Sequence, residues 1–315
     1  YSAYLKGRHL LLDNKTNATI AVALQYFQRA IDVDPNFALG YTGLADAYAE
    51  QADADLDPTK AFALSKEAAL HALRINPDLA EAHVSLANEL LYHEWKWEEA
   101  EREYKRALEL KPTYEEAHHS YSHYLSLTGR PQEALEETQK LLQMDPLSSH
   151  MNSHMGLDLL WAGRFEEAIA QFKKTIALDP NYARAYQHMG YAYEWQAMFP
   201  EAIAAYRKGV SLASATLEVQ PDLARALIEG GQREEGLQIL HRLEADAGHR
   251  YVSPVELAGI YTVLGDHEQA LKLLETALAQ HNGSLLFLRG HSEFNALRSE
   301  PRFLHILHEI GGPIS

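Results

Sequence analysis

The sequence contains no cysteine. This absence excludes a disulfide framework, a thiolate zinc site and a cysteine nucleophile. It does not indicate the cellular compartment, because a chain without cysteine suits a reducing and an oxidising environment equally. Hydrophobic residues make up 46% of the chain and charged residues 23%, so there is enough apolar side chain for a continuous folded core.

Positive charge is scarce. Lys and Arg total 28 against 44 Asp and Glu, which gives a formal net charge of −16. A chain of this charge repels nucleic-acid phosphates and anionic lipid headgroups, and it tolerates basic partners. We therefore expect a protein or peptide partner and no direct binding to nucleic acid.

Long hydrophobic runs are also missing. No apolar stretch approaches the roughly 20 residues that a membrane-spanning helix needs, so we expect no membrane insertion of this segment. Tyr1 opens into a helix-like pattern without the regions of a signal peptide and without an initiating Met. We expect an effector module upstream of Tyr1. The expected location is the cytoplasm, and the alternative is the periplasmic side of a membrane-anchored regulator.

Signatures of nucleotide binding and hydrolysis are absent. The sequence has no G-x-G-x-x-G, G-x-x-x-x-G-K-[ST], G-x-S-x-G or H-E-x-x-H motif. Carboxylates such as Glu133, Glu166 and Glu201 stand at helix starts, where a negative charge meets the positive end of the helix dipole. We predict that the chain is not an enzyme and uses no cofactor.

A 34-residue repeat runs through most of the sequence. Small residues mark it, with a step of 34 from Ala100 onward and steps of 42 and 35 before it. The series consists of Ala23, Ser65, Ala100, Ala134, Ala168, Ala202, Gly236 and Ala270. These positions indicate eight units, and the longer first step indicates an insertion near residues 51–59.

Prolines keep the same register as the small residues. Each landmark proline follows an amphipathic stretch, and proline cannot continue a helix, so each marks a stop. The landmarks are Pro35, Pro77, Pro112, Pro146 and Pro180. In the helix that follows, apolar residues recur at i, i+3, i+4 and i+7, as in Tyr41, Leu44, Ala45 and Tyr48. Each unit is therefore predicted to be helix, turn, helix, turn.

This pattern resembles the tetratricopeptide repeat. The family signature has a large residue, leucine, a small residue and an aromatic in the first helix, then alanine, an aromatic, alanine and proline, as in Ala100, Tyr104 and Ala107. Thr175 departs from it by standing where alanine is usual. The resemblance implies an all-α, right-handed superhelical α-solenoid of about eight helix-turn-helix units over residues 1–282, with a degenerate first unit. Residues 283–315 are expected to form a capping segment over the last apolar face.

Three stretches are similar to one group within this family. They are residues 4–8, residues 94–97 and the tail after Asn282. The group comprises the C-terminal tetratricopeptide regions of bacterial multidomain regulators that carry a winged helix, a protein kinase, an adenylate cyclase or a TolB-like module. The resemblance implies a protein-protein interaction scaffold or sensory region in signalling or transcription regulation.

The partner is expected to bind along the concave groove that the first helices of such an array line. The residues beside the apolar i, i+3, i+4, i+7 positions of the first helices are rich in hydrogen-bonding and aromatic side chains. They include no lysine, which argues against the lysine-containing site by which some tetratricopeptide domains bind a C-terminal carboxylate. The predicted partner-binding residues are Asn88, His119, His123, His150, His154, Trp161, Arg184, Gln187, His188, Tyr191, Glu194, Trp195 and Arg225.

Histidines form two i, i+4 pairs in this groove, His119 with His123 and His150 with His154. Such pairs can hold zinc, nickel or copper, but no carboxylate or thiolate completes a ligand shell, so no metal site is predicted. The alternative function is a small-molecule or metal-sensing regulatory domain that uses this histidine-rich groove. A further hypothesis is pH sensing, in which these histidines gain charge between about pH 7 and pH 5.5.

Overall fold

A computed structural model describes residues 1–13, 17–51, 58–212, 219–247 and 251–312, which excludes residues 52–57 of the predicted insertion. All regular structure in these ranges is helical, which confirms the predicted all-α helical repeat. No helix there is long and apolar enough to span a bilayer. The helices are α1 (Ser2–Asp13), α2 (Asn17–Val33), α3 (Ala38–Gln51), α4 (Pro58–Ile75), α5 (Ala80–Tyr92), α6 (Trp97–Leu110), α7 (Glu115–Leu127), α8 (Pro131–Met144), α9 (Ser149–Trp161), α10 (Phe165–Leu178), α11 (Ala183–Glu194), α12 (Phe199–Leu212), α13 (Gln220–Glu229), α14 (Arg233–Asp246), α15 (Pro254–Leu264), α16 (His267–Ala279) and α17 (Pro301–Glu309).

The chain forms two compact units. The first unit comprises Tyr1–Tyr121 and Ala279–Gly283, and the second comprises Ser122–Leu278 and Ser284–Ser315. The second unit includes α8 to α15 and α17, together with a 3₁₀ helix at Ser292–Leu297. Most of the sequence-predicted groove residues belong to this second unit.

Small residues in the first helix of a hairpin let a ring of the second helix approach its backbone. A Cβ atom on Gly156 would lie 2.4 Å from a ring carbon of Phe172, and one on Gly190 would lie 2.3 Å from a ring carbon of Tyr206. Both rings are fully buried. Because native cores are close-packed, a methyl group at either glycine would force the ring or the helix to move. Gly156 and Gly190 are 34 residues apart, so this contact between a ring and a glycine recurs at the step of the repeat.

A polar side chain closes the turn after each landmark proline. The residue six positions later donates a hydrogen bond of 2.9 to 3.4 Å to the carbonyl oxygen of that proline. The pairs are Tyr41 with Pro35, His83 with Pro77, His118 with Pro112, Asn152 with Pro146 and Tyr186 with Pro180. A hydroxyl, an imidazole N–H or an amide can each satisfy the carbonyl, so histidine and asparagine can stand where other units carry tyrosine.

A left-handed residue lies in the turn inside several hairpins. Its φ angle is between 54° and 83°. Six such residues recur every 34 positions, namely Trp95, Gly129, Gly163, Ala197, Gly231 and Gly265. Glycine adopts this conformation readily, whereas any other residue pays roughly 1–2 kcal/mol for it. The backbone repeat therefore persists at Trp95 and Ala197, where the sequence does not show it.

Residues 284–297, which we name the strap, cross the second unit after α16. Leu285, Leu288 and Leu297 are fully buried. Gly290 approaches the Trp161 side chain of α9 so closely that a Cβ atom would lie 1.9 Å from the ring. Phe294 packs beside Gly259 of α15. The tail that was expected to cover the last apolar face therefore also reaches α9.

Candidate functional site

The strap lies on one surface of the second unit, formed by α9, α11, α13 and α15, which we name the inner wall. A cavity of about 230 Å³ remains between the two. The wall contributes Trp161 at the end of α9, Tyr191 of α11, Arg225 of α13 and Val255 of α15. Phe287 of the strap closes the opposite side. The wall, the strap and this cavity make up the candidate site.

A buried guanidinium joins the wall to the strap. Arg225 Nε lies 2.6 Å from Glu194 Oε1, its Nη2 lies 3.1 Å from Asp222 Oδ1, and its Nη1 lies 3.3 Å from Glu293 Oε1. All four side chains are at most 6% exposed. Each carboxylate also accepts a hydrogen bond from another side chain. Tyr206 donates to Glu194, Gln187 and Tyr191 donate to Asp222, and His291 donates to Glu293. One positive charge thus holds three carboxylates, two from the wall and one from the strap.

The three carboxylates differ in their proton affinity. Burial raises the pKa values of Glu194 and Asp222 despite the neighbouring Arg225. Burial acts on Glu293 as well, but there the charges of Arg225 and His291 outweigh it and lower the pKa to about 2. Burial and the Glu194 charge raise the pKa of nearby Glu229 to about 7. Glu293 of the strap is therefore the carboxylate that Arg225 holds in its charged form most firmly.

Aromatic rings surround His291 of the strap. Its ring centre lies 6.0 to 6.2 Å from those of four other rings. The four are Trp161, Tyr191 and Trp195 of the wall and Phe287 of the strap. The Nδ1 atom of His291 lies 2.9 Å from Glu293 Oε1. A strap side chain that bonds a carboxylate is thus enclosed by rings from both sides of the site.

Two histidines that line the cavity, His123 and His188, are held neutral. Burial, together with repulsion from His150 and Arg184, lowers the pKa of His123 to about 4. Burial and the Arg184 charge lower the pKa of His188 to about 3. His123 therefore titrates below the range between about pH 7 and pH 5.5, and for this residue the pH hypothesis is wrong. The reason is desolvation, which penalises the charged imidazolium.

Family models decide which repeat the chain carries. The model described as TPR repeat matches residues 156–196, and the model described as tetratricopeptide repeat matches residues 183–216. The chain contains tetratricopeptide repeats. The matched stretch holds both close contacts between a glycine and a ring, at Gly156 and at Gly190. No curated protein sequence matches the chain.

Solved structures are similar at the level of the fold. PilW, a type IV pilus biogenesis factor, is 19% identical, with 67% of this chain and 94% of that chain covered at a TM-score of 0.53. Pseudomonas aeruginosa PilF is 18% identical over 85% of this chain and 98% of that chain, at a TM-score of 0.49. YrrB, a TPR protein with an unusual peptide-binding site, is 18% identical over 61% of this chain and 95% of that chain, at a TM-score of 0.40. The likeness to PilW shows a shared fold alone, and the resemblance to multidomain regulators stays a prediction.

The tetratricopeptide units place the sequence-predicted residues in different environments. His150 and Arg184 are exposed, whereas His154, Glu194 and Arg225 are buried. The half-buried ones are Asn88, His119, His123, Trp161, Gln187, His188, Tyr191 and Trp195. Asn88 and His119 belong to the first unit. The six that line the cavity are His123, Trp161, His188, Tyr191, Trp195 and Arg225. Contact of these residues with a partner stays a prediction.

The three buried side chains among these, His154, Glu194 and Arg225, bond within the chain instead of facing an open groove. Glu194 and Arg225 form the buried ion pair, because charges removed from water need partners of opposite sign. Nε2 of His154 lies 2.6 Å from the hydroxyl oxygen of Ser122, and its ring lies 4.5 Å from that of His123. His123 is thus brought beside the histidine of the next tetratricopeptide unit.

The residues of the site that the sequence did not reveal include Asp222, Phe287, His291 and Glu293. Asp222 had a usable signal, because it stands three residues before Arg225 and oppositely charged residues at this spacing meet on a helix. The three strap residues had none, since nothing in the local pattern links a tail to the wall of distant tetratricopeptide units.

Proposed function

We propose that the chain is a protein-interaction scaffold whose inner wall binds a partner segment. One observation carries the proposal: the wall already holds a short chain segment of two 3₁₀ helices and a turn, its own strap, through buried side chains and an ion pair. A surface that fits one such segment has the shape and chemistry to fit another. Catalysis is no part of this proposal.

The wall has the composition of a recognition surface. Interfaces are enriched in Trp, Tyr and Arg at their centres, where these residues contribute most of the binding energy. Trp161, Tyr191 and Trp195 supply half-buried rings, and Arg225 supplies a directional charge. We propose that the rings anchor apolar side chains of the partner and that Arg225 fixes its register through a carboxylate, as it does with Glu293.

The role in a larger regulator and the location belong to the same proposal. The stretches at residues 4–8 and 94–97 and the tail support the region of a bacterial multidomain regulator. We propose a cytoplasmic scaffold whose attached module supplies the output. The alternative location, which the sequence analysis left open, is the periplasmic side of a regulator that is anchored in a membrane.

The test uses the strap itself as a probe. In the full chain the strap competes at an effective concentration of about millimolar, so it must first be loosened. Gly290→Val does this, because its side chain would overlap the Trp161 ring. We expect a fluorescein-labelled peptide of residues 284–297 to bind Gly290→Val and to bind wild type far more weakly, as measured by fluorescence anisotropy.

Wall variants complete the test. Tyr191→Ala/Trp195→Ala in the Gly290→Val background should abolish peptide binding, whereas Tyr26→Ala in the first unit should not change it. Circular dichroism establishes that each variant is folded. The proposal fails if folded Gly290→Val does not bind the peptide at about 100 µM, or if the double wall variant binds it equally well.

A further inference from the structure

The cavity between wall and strap is a separate feature from the groove that the strap fills. Its volume of about 230 Å³ remains with the strap in place. Trp161, Tyr191 and Trp195 line it from the wall, and Phe287, His291 and Phe294 line it from the strap. All of these belong to the second unit. A molecule bound here would contact the wall and the strap together.

The lining rings present faces in several directions. The Trp161 and Trp195 ring centres are 5.6 Å apart with planes at 85°, and Phe287 lies 6.1 Å from Trp161 at 40°. A cation within about 6 Å of a ring face is attracted by the negative charge density of that face, and the attraction is strongest where water is excluded. Rings at such angles can surround a compact cation.

Three buried acidic side chains of the site surround one guanidinium. Glu194, Asp222 and Glu293 share the single guanidinium of Arg225, and all are nearly fully buried. His123 and His188, which line the cavity, add no positive charge at neutral pH, because their pKa values are about 4 and about 3. A fourth carboxylate, Glu256, also lines the cavity.

We propose that this cavity binds a small organic cation, an ammonium group with apolar substituents of about the size of choline. The ring faces and the carboxylates attract the charge, and Leu157, Leu160 and Val255 of the lining contact the substituents. A hard metal ion fits this lining less well, because it needs about six oxygen ligands. The carboxylates here already accept hydrogen bonds from Arg225, Gln187 and Tyr191. This inference goes beyond segment binding and does not depend on it.

The experiment compares a cation with its neutral isostere on the full chain. Isothermal titration calorimetry is run with choline chloride and with 3,3-dimethylbutan-1-ol, which has the same shape and no charge, at constant total chloride. We expect saturable binding of choline and at least about 10-fold weaker binding of the alcohol, because only the charged molecule gains from the rings and carboxylates. Tetramethylammonium should bind in the same way.

Variants locate the binding in the cavity. Trp195→Leu should weaken choline binding about 10-fold or more, Trp195→Phe should restore most of it, and Trp97→Leu in the first unit should leave it unchanged. Circular dichroism confirms that the variants are folded. The proposal is overturned if choline does not bind at about 10 mM, if the neutral alcohol binds equally, or if Trp195→Leu binds like wild type. None of these outcomes bears on the peptide assay, so the two proposals fail separately.

Discussion

Glu293→Gln tests how the strap is held. The substitution keeps the size of the side chain and removes its charge. Arg225 is not left unpaired, because Glu194 and Asp222 still contact it. The variant therefore measures the contribution of one charge on the strap and not the cost of leaving a buried guanidinium without a partner.

The magnitude follows from the pKa of Glu293. Burial by itself would raise that pKa, but Arg225 and His291 lower it from 4.5 to about 2. A difference of about 2.5 units corresponds to roughly 3 kcal/mol between the charged and the neutral side chain. Repulsion from Glu194 and Asp222 is relieved when the charge is removed, so this is an upper value. Opening of the strap should become more frequent by up to on the order of 100-fold.

The pH dependence has a definite direction. A carboxylate with a lowered pKa in the folded state stabilises that state above its unfolded pKa, and it loses this contribution as the pH falls through the folded value. For Glu293 the stabilisation is complete above about pH 4.5 and declines toward pH 2. The difference between wild type and Glu293→Gln should therefore be constant from pH 6 to pH 8 and shrink below about pH 4.5.

Hydrogen exchange read by mass spectrometry is the assay. The amides of Leu288, Gly290 and His291 donate to strap carbonyls at 3.0 to 3.2 Å, so they exchange when the strap opens. We expect faster exchange there in Glu293→Gln and no change in α10. Glu309→Gln on the exposed face of α17 is the matched control. Unchanged exchange of the strap amides in Glu293→Gln would refute the reasoning.

Two further predictions concern stability. Ala197→Gly should raise the free energy of unfolding by about 1 kcal/mol in chemical denaturation, because φ at Ala197 is 56° and glycine adopts such an angle without strain. Gly163→Ala should lower the free energy of unfolding by a similar amount, because φ at Gly163 is 72° and the space around it is open, so only the backbone angle changes the stability. A gain in stability in both variants would contradict this prediction. Burial raises the pKa of Asp158 to about 7 against hydrogen bonds from Thr138 and Ser126, so the folded state favours the protonated form and loses stability as the pH rises through 7. Between pH 6 and pH 8 wild type should lose about 1 kcal/mol relative to Asp158→Asn, and parallel curves from thermal melts would show that Asp158 does not titrate in this range.

The sequence by itself determined the repeat and its helices. Small residues 34 positions apart and prolines in the same register are local patterns, and their physical meaning is also local: a close approach within one hairpin and the end of one helix. The structure realises them at Gly236, where a Cβ atom would lie 2.6 Å from a side-chain carbon of Ile228, and at Pro180, which accepts a hydrogen bond from Tyr186. Gly129, Gly163, Gly231 and Gly265 were an equally local signal that was available and not used.

The environment of the groove residues was decided by the tertiary structure alone. Arg225 was correctly placed on the first helix of its unit, yet whether it faces water or Glu293 depends on where a tail 68 residues further along the chain packs. The same holds for His123, whose charge state is set by burial and neighbouring charges and not by its own sequence context. Burial and charge pairing are sums over residues that meet only in the folded chain, and for that reason a periodic pattern specified the wall but not what covers it.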